Sequence, residues 1–459
     1  MEEIDTDVAV IGCGIAGLTA AKQVARRGMK VTVFSKAYGA TAMSTGVADV
    51  ANPTVLKIPL DPPDTLISKK YAVKKNHPYS LILQREKQHG IQGNEADGNT
   101  CGATISDAVA GFIGDMADVG FPVEGSLKHN MLLINSVGSV RSSCLAPPSV
   151  ARGDLTKIED GKLLFVGFKG HSDYDSKLCA KNFAETSRVV GLPLEVGGDG
   201  SATIDFPGFE ERNTILSIEI AKRIDREEGV AQKIGRAIAN LTNSSKATHL
   251  CLPPCIGIRN VEERMKIIGD ESGLIPFECV TLTPPSVIGF RLQLALDDSA
   301  EKSGAKIMLP YEVTRFDANE DTLKRMTVVS GQREFSVEAE RYILATGSFV
   351  GGGIIENEET VKEPLLNLPL FDENDSRVDG PFIRTMLSNE ALPINGQRVF
   401  SVGVKVSENM QPLSAQEEII HENLFACGNI LSGFNHTASG CRYGVSLATG
   451  YVAGEEASK

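Results

Sequence analysis

Asp7-Val8-Ala9-Val10-Ile11-Gly12-Cys13-Gly14-Ile15-Ala16-Gly17 decides the fold of this chain. The apolar run that opens it reads as a buried strand, and the glycine-rich stretch from Gly12 to Gly17 as a tight turn into a helix. Leu18, Ala21, Val24 and Ala25 recur at helical spacing until Gly28 stops the helix, and Val31-Thr32-Val33-Phe34 supplies a second strand. The result is a β-α-β unit of about thirty residues. In that context the spacing Gly12-x-Gly14-x-x-Gly17 has a definite physical content. One glycine permits the turn, the next lets a phosphate approach the backbone, and the third lets helix and strand pack closely. The helix N-terminus then turns unpaired N–H groups toward the anion. Pattern and context together predict a Rossmann-like site for the phosphate of a dinucleotide or flavin.

The second strand ends unusually. An acidic residue there commonly holds an adenosine ribose, but this chain has Ser35-Lys36. Three readings stay open: Lys36 favours a phosphate, the ribose is absent as in a mononucleotide flavin, or Ser35 hydrogen-bonds the same ribose. Farther on, Tyr342-Ile343-Leu344-Ala345-Thr346-Gly347 and Asn423-Leu424-Phe425-Ala426-Cys427-Gly428-Asn429 both read as a strand ending in glycine. A nicotinamide-only Rossmann enzyme has no need of both. In two-dinucleotide-fold flavoproteins the first closes a β-meander back onto the nucleotide unit, and segments 326–330 and 333–339 read as that meander. The second brings a helix N-terminus toward the flavin pyrimidine, where its dipole stabilises negative charge on the reduced ring. A further helix is expected after Thr283-Pro284-Pro285-Ser286, with Ile288, Leu292 and Leu296 on one face.

The fold class that follows is α/β: a Rossmann-like flavin-binding domain of two-dinucleotide-binding-fold type, carrying a large inserted α+β domain. Residues 1–50, about 283–350 and 418–459 are expected to form the flavin-binding domain. About 51–282 and 351–417 are expected to form the insert. Within the insert, helices are expected around 105–116, after Gly170 through Phe183, and over 215–224 and 230–238. Strands are expected at 163–168 and 249–252. Segments 153–162 and 197–201 read as loops.

Composition bounds the partners. The 459 residues carry 46 Lys plus Arg against 59 Asp plus Glu, a formal charge of −13, which argues against nucleic acid. No apolar run reaches the ~18 residues of a membrane span, and acidic residues at the start do not suit a secretory signal. The nine cysteines show no C-x-x-C pair, so a reduced, cytoplasmic chain is expected, with cysteines packed as small hydrophobes. Cys251 and Cys255 make a poor metal signature, and no metal is expected. Among titratable residues, His77, His171, His249 and His436 fall near strand ends or loops. His436 and Arg442 follow the flavin-facing turn, where a base or an anion clamp is chemically sensible. Arg291 is a weaker candidate, because a solvated arginine is the default on that helix.

The same residues resemble a known family. His77-Pro78-Tyr79-Ser80-Leu81, Leu252-Pro253-Pro254-Cys255-Ile256-Gly257, Pro284-Pro285-Ser286-Val287-Ile288-Gly289-Phe290-Arg291-Leu292-Gln293, Ala345-Thr346-Gly347-Ser348-Phe349, Glu363-Pro364-Leu365-Leu366 and Gly440-Cys441 follow one another from end to end. They are similar to the B subunits of anaerobic glycerol-3-phosphate dehydrogenases. The resemblance implies a flavin-binding subunit of a complex that oxidises sn-glycerol 3-phosphate to dihydroxyacetone phosphate and passes electrons to a quinone. It implies two partners, a catalytic flavoprotein subunit and an iron–sulfur subunit that anchors the complex at the inner face of the membrane. It implies a flavin, FMN being the commoner assignment and FAD the alternative. A weaker likeness to fumarate reductase and succinate dehydrogenase flavoproteins adds that the flavin is non-covalent, because Met43 stands near the place of their linking histidine.

On this footing Gly12, Gly14, Ile15, Ala16 and Gly17 are expected to hold the phosphate end. Ser35, Lys36, Ser44 and Thr45 would line the nucleotide and ring. Thr346, Gly347, Gly428 and Asn429 would close the site, with His436, Arg442 and Arg291 as catalytic candidates. Two rival readings remain: a stand-alone FAD oxidoreductase of fumarate reductase type, and a non-catalytic subunit whose flavin only relays electrons. The chain departs from the family pattern at Arg442-Tyr443-Gly444 and in a longer 39–76 segment.

Overall fold

The structure is a computed structural model that describes residues 2–53, 56–91, 101–159, 161–242, 246–282, 284–356, 360–380, 386–391, 393 and 395–459. Thr283, the first residue of the expected Pro-Pro-Ser motif, lies outside the described residues.

Strand Val8–Ile11 is buried at every position and sits mid-sheet. It pairs in parallel with Val31–Phe34 on one side and Arg341–Leu344 on the other. Lys306–Met308 and Leu424–Ala426 extend the sheet outward, both parallel. The unbroken apolar runs reflect a sheet covered on both faces, where period-two alternation gives no advantage. Helix Ile15–Arg26 packs against the last helix, Arg442–Glu456. A Cβ added at Gly450 would stand 2.4 Å from the Ala16 carbonyl oxygen, and one at Gly454 would stand 2.5 Å from that of Ala20. Those glycines let the two backbones touch.

The expected meander is present as Glu312–Ala318, Leu323–Ser330 and Arg333–Glu338, antiparallel throughout. Glu2–Asp5 joins its edge in parallel. Sequence alone concealed that strand, because Glu2, Glu3 and Asp5 are exposed and give it no apolar face.

The layer against the nucleotide sheet takes in more chain than a boundary at residue 50 anticipates. Helices Pro78–His89 and Ala103–Asp118 place Tyr79, Ile82, Ile105, Phe112 and Met116 in the same core as Val8–Val33. Buried Lys22, with Arg26 of the same helix, pairs with Asp115 across that contact.

The rest of the insert contains a second parallel sheet, in the order Ile275–Glu278, His249–Leu252, Lys162–Phe168, Glu195–Ile204. Alternate residues of Lys162–Phe168 enter different cores. Leu164, Val166 and Phe168 meet Ile220, Ile234 and Ile268, while Leu163 and Phe165 meet Phe183, Cys251 and Phe277. Residues 197–201, expected as a loop, belong to the long strand Glu195–Ile204. As an edge strand it pairs with a single neighbour, through a register shift opposite Leu163–Phe165, so it needs no apolar run.

Helix Val287–Lys302 begins at Ser286, whose hydroxyl accepts from the Gly289 N–H at 2.9 Å. Gly289 lies against the chain at Ser44, where a Cβ would stand 2.3 Å from the carbonyl oxygen. Among the described residues no helix is long and apolar enough to cross a membrane. All nine cysteines are buried and unbridged.

Candidate functional site

The three glycines of the first turn do different work. Gly12 has φ +114°, and a Cβ there would stand 2.3 Å from the Ala345 carbonyl oxygen, so two strand ends touch at this point. Gly17 packs the helix back onto the turn, because its Cβ would meet the Gly12 carbonyl oxygen at 2.0 Å. Gly14 has ordinary extended angles as the residue before the helix, and its Cβ would meet only the Thr41 hydroxyl, at 3.4 Å. It is therefore the open face of the turn. The Ile15 N–H, first of the helix, points at that hydroxyl at 3.1 Å.

From this turn a cleft of about 600 Å³ runs in both directions. One end is lined by Ser35, Lys36, Glu312, Val313 and Thr314, where the second strand and the first meander strand approach each other. The middle passes Gly12, Gly14, Ile15, Ala16, Thr346 and Gly347. The other end is lined by Asn429, His436, Thr437, Arg442 and Ser446. Glycine and helix ends from residues 12–17, 345–348 and 428–446 thus converge at the C-terminal edge of the parallel sheet, where ligands of such folds bind.

Other expected residues fall elsewhere. Gly428, φ +79°, lies beneath the cleft against Ala16. Ser44 lines a small side cavity of about 30 Å³ and bonds the Tyr443 hydroxyl. Thr45 lines neither cavity. Arg291 is the clearest correction. It is not solvated but 2% exposed, and its guanidinium makes paired bonds to the Glu278 carboxylate at 2.7 and 2.9 Å. Its Nε donates to the Gly257 carbonyl at 2.8 Å, so it joins the long helix to the second sheet and stays out of the cleft.

His436 has the geometry of a cleft base. Its Nε2 is 2.8 Å from the Ser348 hydroxyl, the residue is 5% exposed, and Nδ1 has no partner. Burial, with the nearby Arg442 charge, drives its pKa down to about 3, so the imidazole is neutral at physiological pH. Arg442 lies at the start of the last helix and has no carboxylate partner among the described residues. The other singled-out histidines do not line the cleft. His77 caps helix Pro78–His89 through the Tyr79 N–H, His171 bonds Ser217, and His249 opens a strand of the second sheet.

Several cleft residues carry no sequence signal of their own. Thr41 and Tyr38 lie in an irregular loop, Glu312 begins a meander strand, and Ser348 follows the Ala345-Thr346-Gly347 turn. Ser348 adjoins that turn but was not itself expected in the site, and Glu312 required the three-dimensional approach of two strands. Next to the cleft residue Cys13, Gln293 donates to the Cys13 carbonyl and to Asp297, at 2.9 and 2.8 Å. Burial raises the Asp297 carboxyl to about 6.

The residues present fit a flavin nucleotide. The glycine cradle leaves an open approach to a helix N-terminus, and three buried polar atoms beside the cleft lack partners: Thr346 Oγ1, Asn429 Oδ1 and His436 Nδ1. A ligand with hydrogen-bonding groups along its length would satisfy them.

Fold and cleft together define a flavoprotein built on a Rossmann-like dinucleotide-binding domain. The chain belongs to the family described as "FAD binding domain", whose model matches residues 7–445. Among curated proteins it is 25% identical over 460 residues to the B subunit of anaerobic glycerol-3-phosphate dehydrogenase from Actinobacillus pleuropneumoniae, covering 98% of each chain. It is 24% identical over 463 residues to the protein of that name from Vibrio cholerae, covering 98% of this chain and 96% of that one. Among solved structures, 3-ketosteroid-Δ4-(5α)-dehydrogenase from Rhodococcus jostii RHA1 aligns over 100% of this chain and 98% of that one, with 13% identity and a TM-score of 0.41.

Proposed function

We propose that the chain is the flavin-binding subunit of a glycerol-3-phosphate dehydrogenase complex, oxidising sn-glycerol 3-phosphate to dihydroxyacetone phosphate and handing electrons through partner subunits to a quinone. The observation that carries the reading is the junction at one end of the cleft, where a neutral histidine, an arginine with no carboxylate partner among the described residues and a strand–glycine turn meet. The curated relatives' shared name supplies the substrate and the existence of other subunits. We assign those subunits as a catalytic flavoprotein and an iron–sulfur anchor, with this chain held at the inner membrane face through them. The cleft and its cover divide as residues 1–50, about 283–350 and 418–459 against an insert, with 63–118 packed on the nucleotide side.

The cofactor is FAD, bound non-covalently. The cleft does not stop at the phosphate turn but continues past Ser35 to Val313 and Thr314, which supports a ligand with an adenosine half. Glu312 replaces in space the acid missing at Ser35. It lines the same end and lies 3.6 Å from Lys36, so its carboxylate is placed to accept from a ribose. The flavin, when bound, accepts a hydride equivalent from the substrate carbon.

The chain's own residues do the rest. Beyond the Ile15 N–H, which Thr41 takes, the first turn of helix Ile15–Arg26 presents its N–H groups to the pyrophosphate across Gly14. Thr346 and Asn429 fix the ligand through their unpartnered oxygens. His436, kept neutral by burial, offers Nδ1 as an acceptor to the substrate hydroxyl, and Ser348 orients the ring through Nε2. Arg442 binds the anionic group of the substrate.

The test is flavin extraction and chromatography, then anaerobic mixing of the purified protein with sn-glycerol 3-phosphate while the flavin absorbance is followed. Released FAD and bleaching by substrate are expected. A flavin that stays oxidised with substrate, yet is reduced when the partner subunits are added, would make this a relay subunit. Bleaching by a carboxylate and not by glycerol phosphate would move it to the fumarate reductase type.

A further inference from the structure

We propose that Gln293 is a positioning residue for the cofactor phosphate: its buried amide draws the Cys13 carbonyl oxygen away from the cleft and thereby aims the Gly14 N–H into it. The inference deepens the flavin-binding reading above and rests on it.

The glycine turn does not choose this orientation by itself. Cys13 stands between Gly12, at φ +114°, and Gly14, at φ −78°. Turning over the peptide plane between Cys13 and Gly14 changes only the ψ of Cys13 and the φ of Gly14, and glycine accepts either sign of φ. A planar trans peptide points its C=O and its N–H in opposite directions. One orientation therefore offers the cleft a hydrogen-bond donor, and the other offers a carbonyl oxygen that repels an anion. The Cys13 side chain does not hold the plane, because its Sγ is engaged elsewhere, 3.6 Å from the Ala37 carbonyl oxygen.

The hold comes from another part of the chain. Gln293 is 0% exposed on helix Val287–Lys302, whose Leu292 and Leu296 share a core with Cys13. Its Nε2 donates to the Cys13 carbonyl oxygen at 2.9 Å and to Asp297 Oδ1, one turn along the same helix, at 2.8 Å. Both amide protons are thereby used, and Oε1 has no partner. Reversing the amide would set Oε1 against two oxygens, so the pair of acceptors fixes which end faces the turn. Asp297 in this way orients Gln293, and Gln293 orients the peptide.

The consequence falls on the cleft side. With its carbonyl partner drawn toward the helix, the Gly14 N–H points the opposite way, and Gly14 lines the cleft. Among the described residues nothing accepts from that N–H. The neighbouring Ile15 N–H goes to the Thr41 hydroxyl, so Gly14 supplies a donor to the anion where the helix start has already spent one.

The test titrates apoprotein of the full chain with the flavin that the wild type releases, and records the phosphorus NMR resonances of the bound flavin at saturation. Gln293→Met removes the donor at similar volume. Gln293→Glu keeps the shape and replaces the donor with an acceptor. Each should weaken the flavin by about tenfold or more, as expected for one charge-assisted hydrogen bond, with the glutamate at least as severe as the methionine. At saturation the phosphorus resonances should move from their wild-type positions while the isoalloxazine absorbance bands stay, because the change is confined to the phosphate turn.

A role in packing alone predicts a lower unfolding midpoint with wild-type flavin affinity and wild-type phosphorus resonances. That result in either folded variant overturns the inference and leaves the flavin-binding reading standing. Displaced ring bands with unmoved phosphorus resonances overturn it as well. A wild-type chain that takes up no flavin defeats the flavin-binding reading, and the inference with it. Two replacements of different chemistry keep the test decisive where one of them folds poorly.

Discussion

Replacing Arg291 with methionine separates a structural arginine from a catalytic one. Wild-type Arg291 makes two charge-assisted bonds to Glu278 at 2.7 and 2.9 Å and a third to the Gly257 carbonyl at 2.8 Å. Glu278 is 1% exposed, and its remaining bond is from the Ile256 N–H at 2.8 Å. Methionine fills much of the space but leaves a buried carboxylate with one donor and orphans a carbonyl. Breaking a buried pair from one side costs roughly 3–5 kcal/mol. Arg291→Met should therefore lower the thermal unfolding midpoint by several degrees and bring the second sheet's exposure to protease forward. The double variant Arg291→Met/Glu278→Gln should cost less than the sum of its parts, because the neutral amide no longer needs a counter-charge. Calorimetry on wild type, both singles and the double closes this cycle. Flavin affinity of the folded protein should be unchanged, since the side chain does not line the cleft. A variant with wild-type stability, normal flavin content and no reduction by substrate would refute the argument and return Arg291 to the catalytic set.

Three further outcomes follow from the same geometry. Gly14→Glu should fold, because its backbone angles suit any residue and its Cβ meets only Thr41, but should lose flavin, since the new carboxylate occupies the phosphate approach; spectral quantification of bound flavin checks this, and retained flavin sinks it. Glu312→Gln should weaken FAD by about tenfold and leave FMN nearly unchanged, a difference that fluorescence titration with each flavin measures. Asp297 has its carboxyl raised from 3.8 to about 6 by burial, so the folded state binds the proton more tightly and stability falls as pH rises through that window. Asp297→Asn should then gain about 1–2 kcal/mol at neutral pH, after allowance for partial solvent screening, and little below about pH 4. A gain equal at both pH values in denaturant unfolding contradicts the assigned cause.

The legible parts of the sequence were those whose physics is local. Gly12-x-Gly14-x-x-Gly17 specifies a turn, an approach and a close contact within six residues; Gly12 turns at φ +114° and Gly17 packs against the Gly12 carbonyl, while Gly14 stays open. The inner strands were legible because burial on both faces leaves continuous apolar runs. Glu2–Asp5 and Glu195–Ile204 were not, because edge strands pair on one side and carry polar or glycine-rich sequence. Arg291 was misjudged for a related reason. An arginine on an amphipathic helix is solvated by default, and its burial depends on Glu278, which comes from a strand of the other sheet.

The site itself lies between these extremes. Thr346, Gly347 and Asn429 could be placed by adjacency to strand ends, because a parallel sheet delivers every strand's C-terminal end to one edge. Which polar groups face one another across that edge is set by loops, so Glu312 opposite Lys36 had no signature in its own segment. The same division bears on function. The sheet edge supplies a glycine-lined cleft that rests on backbone geometry at Gly12, Gly14 and Gly347. The loops fix the charge at the reactive end. Substrate choice in such a fold can therefore change while cofactor binding does not.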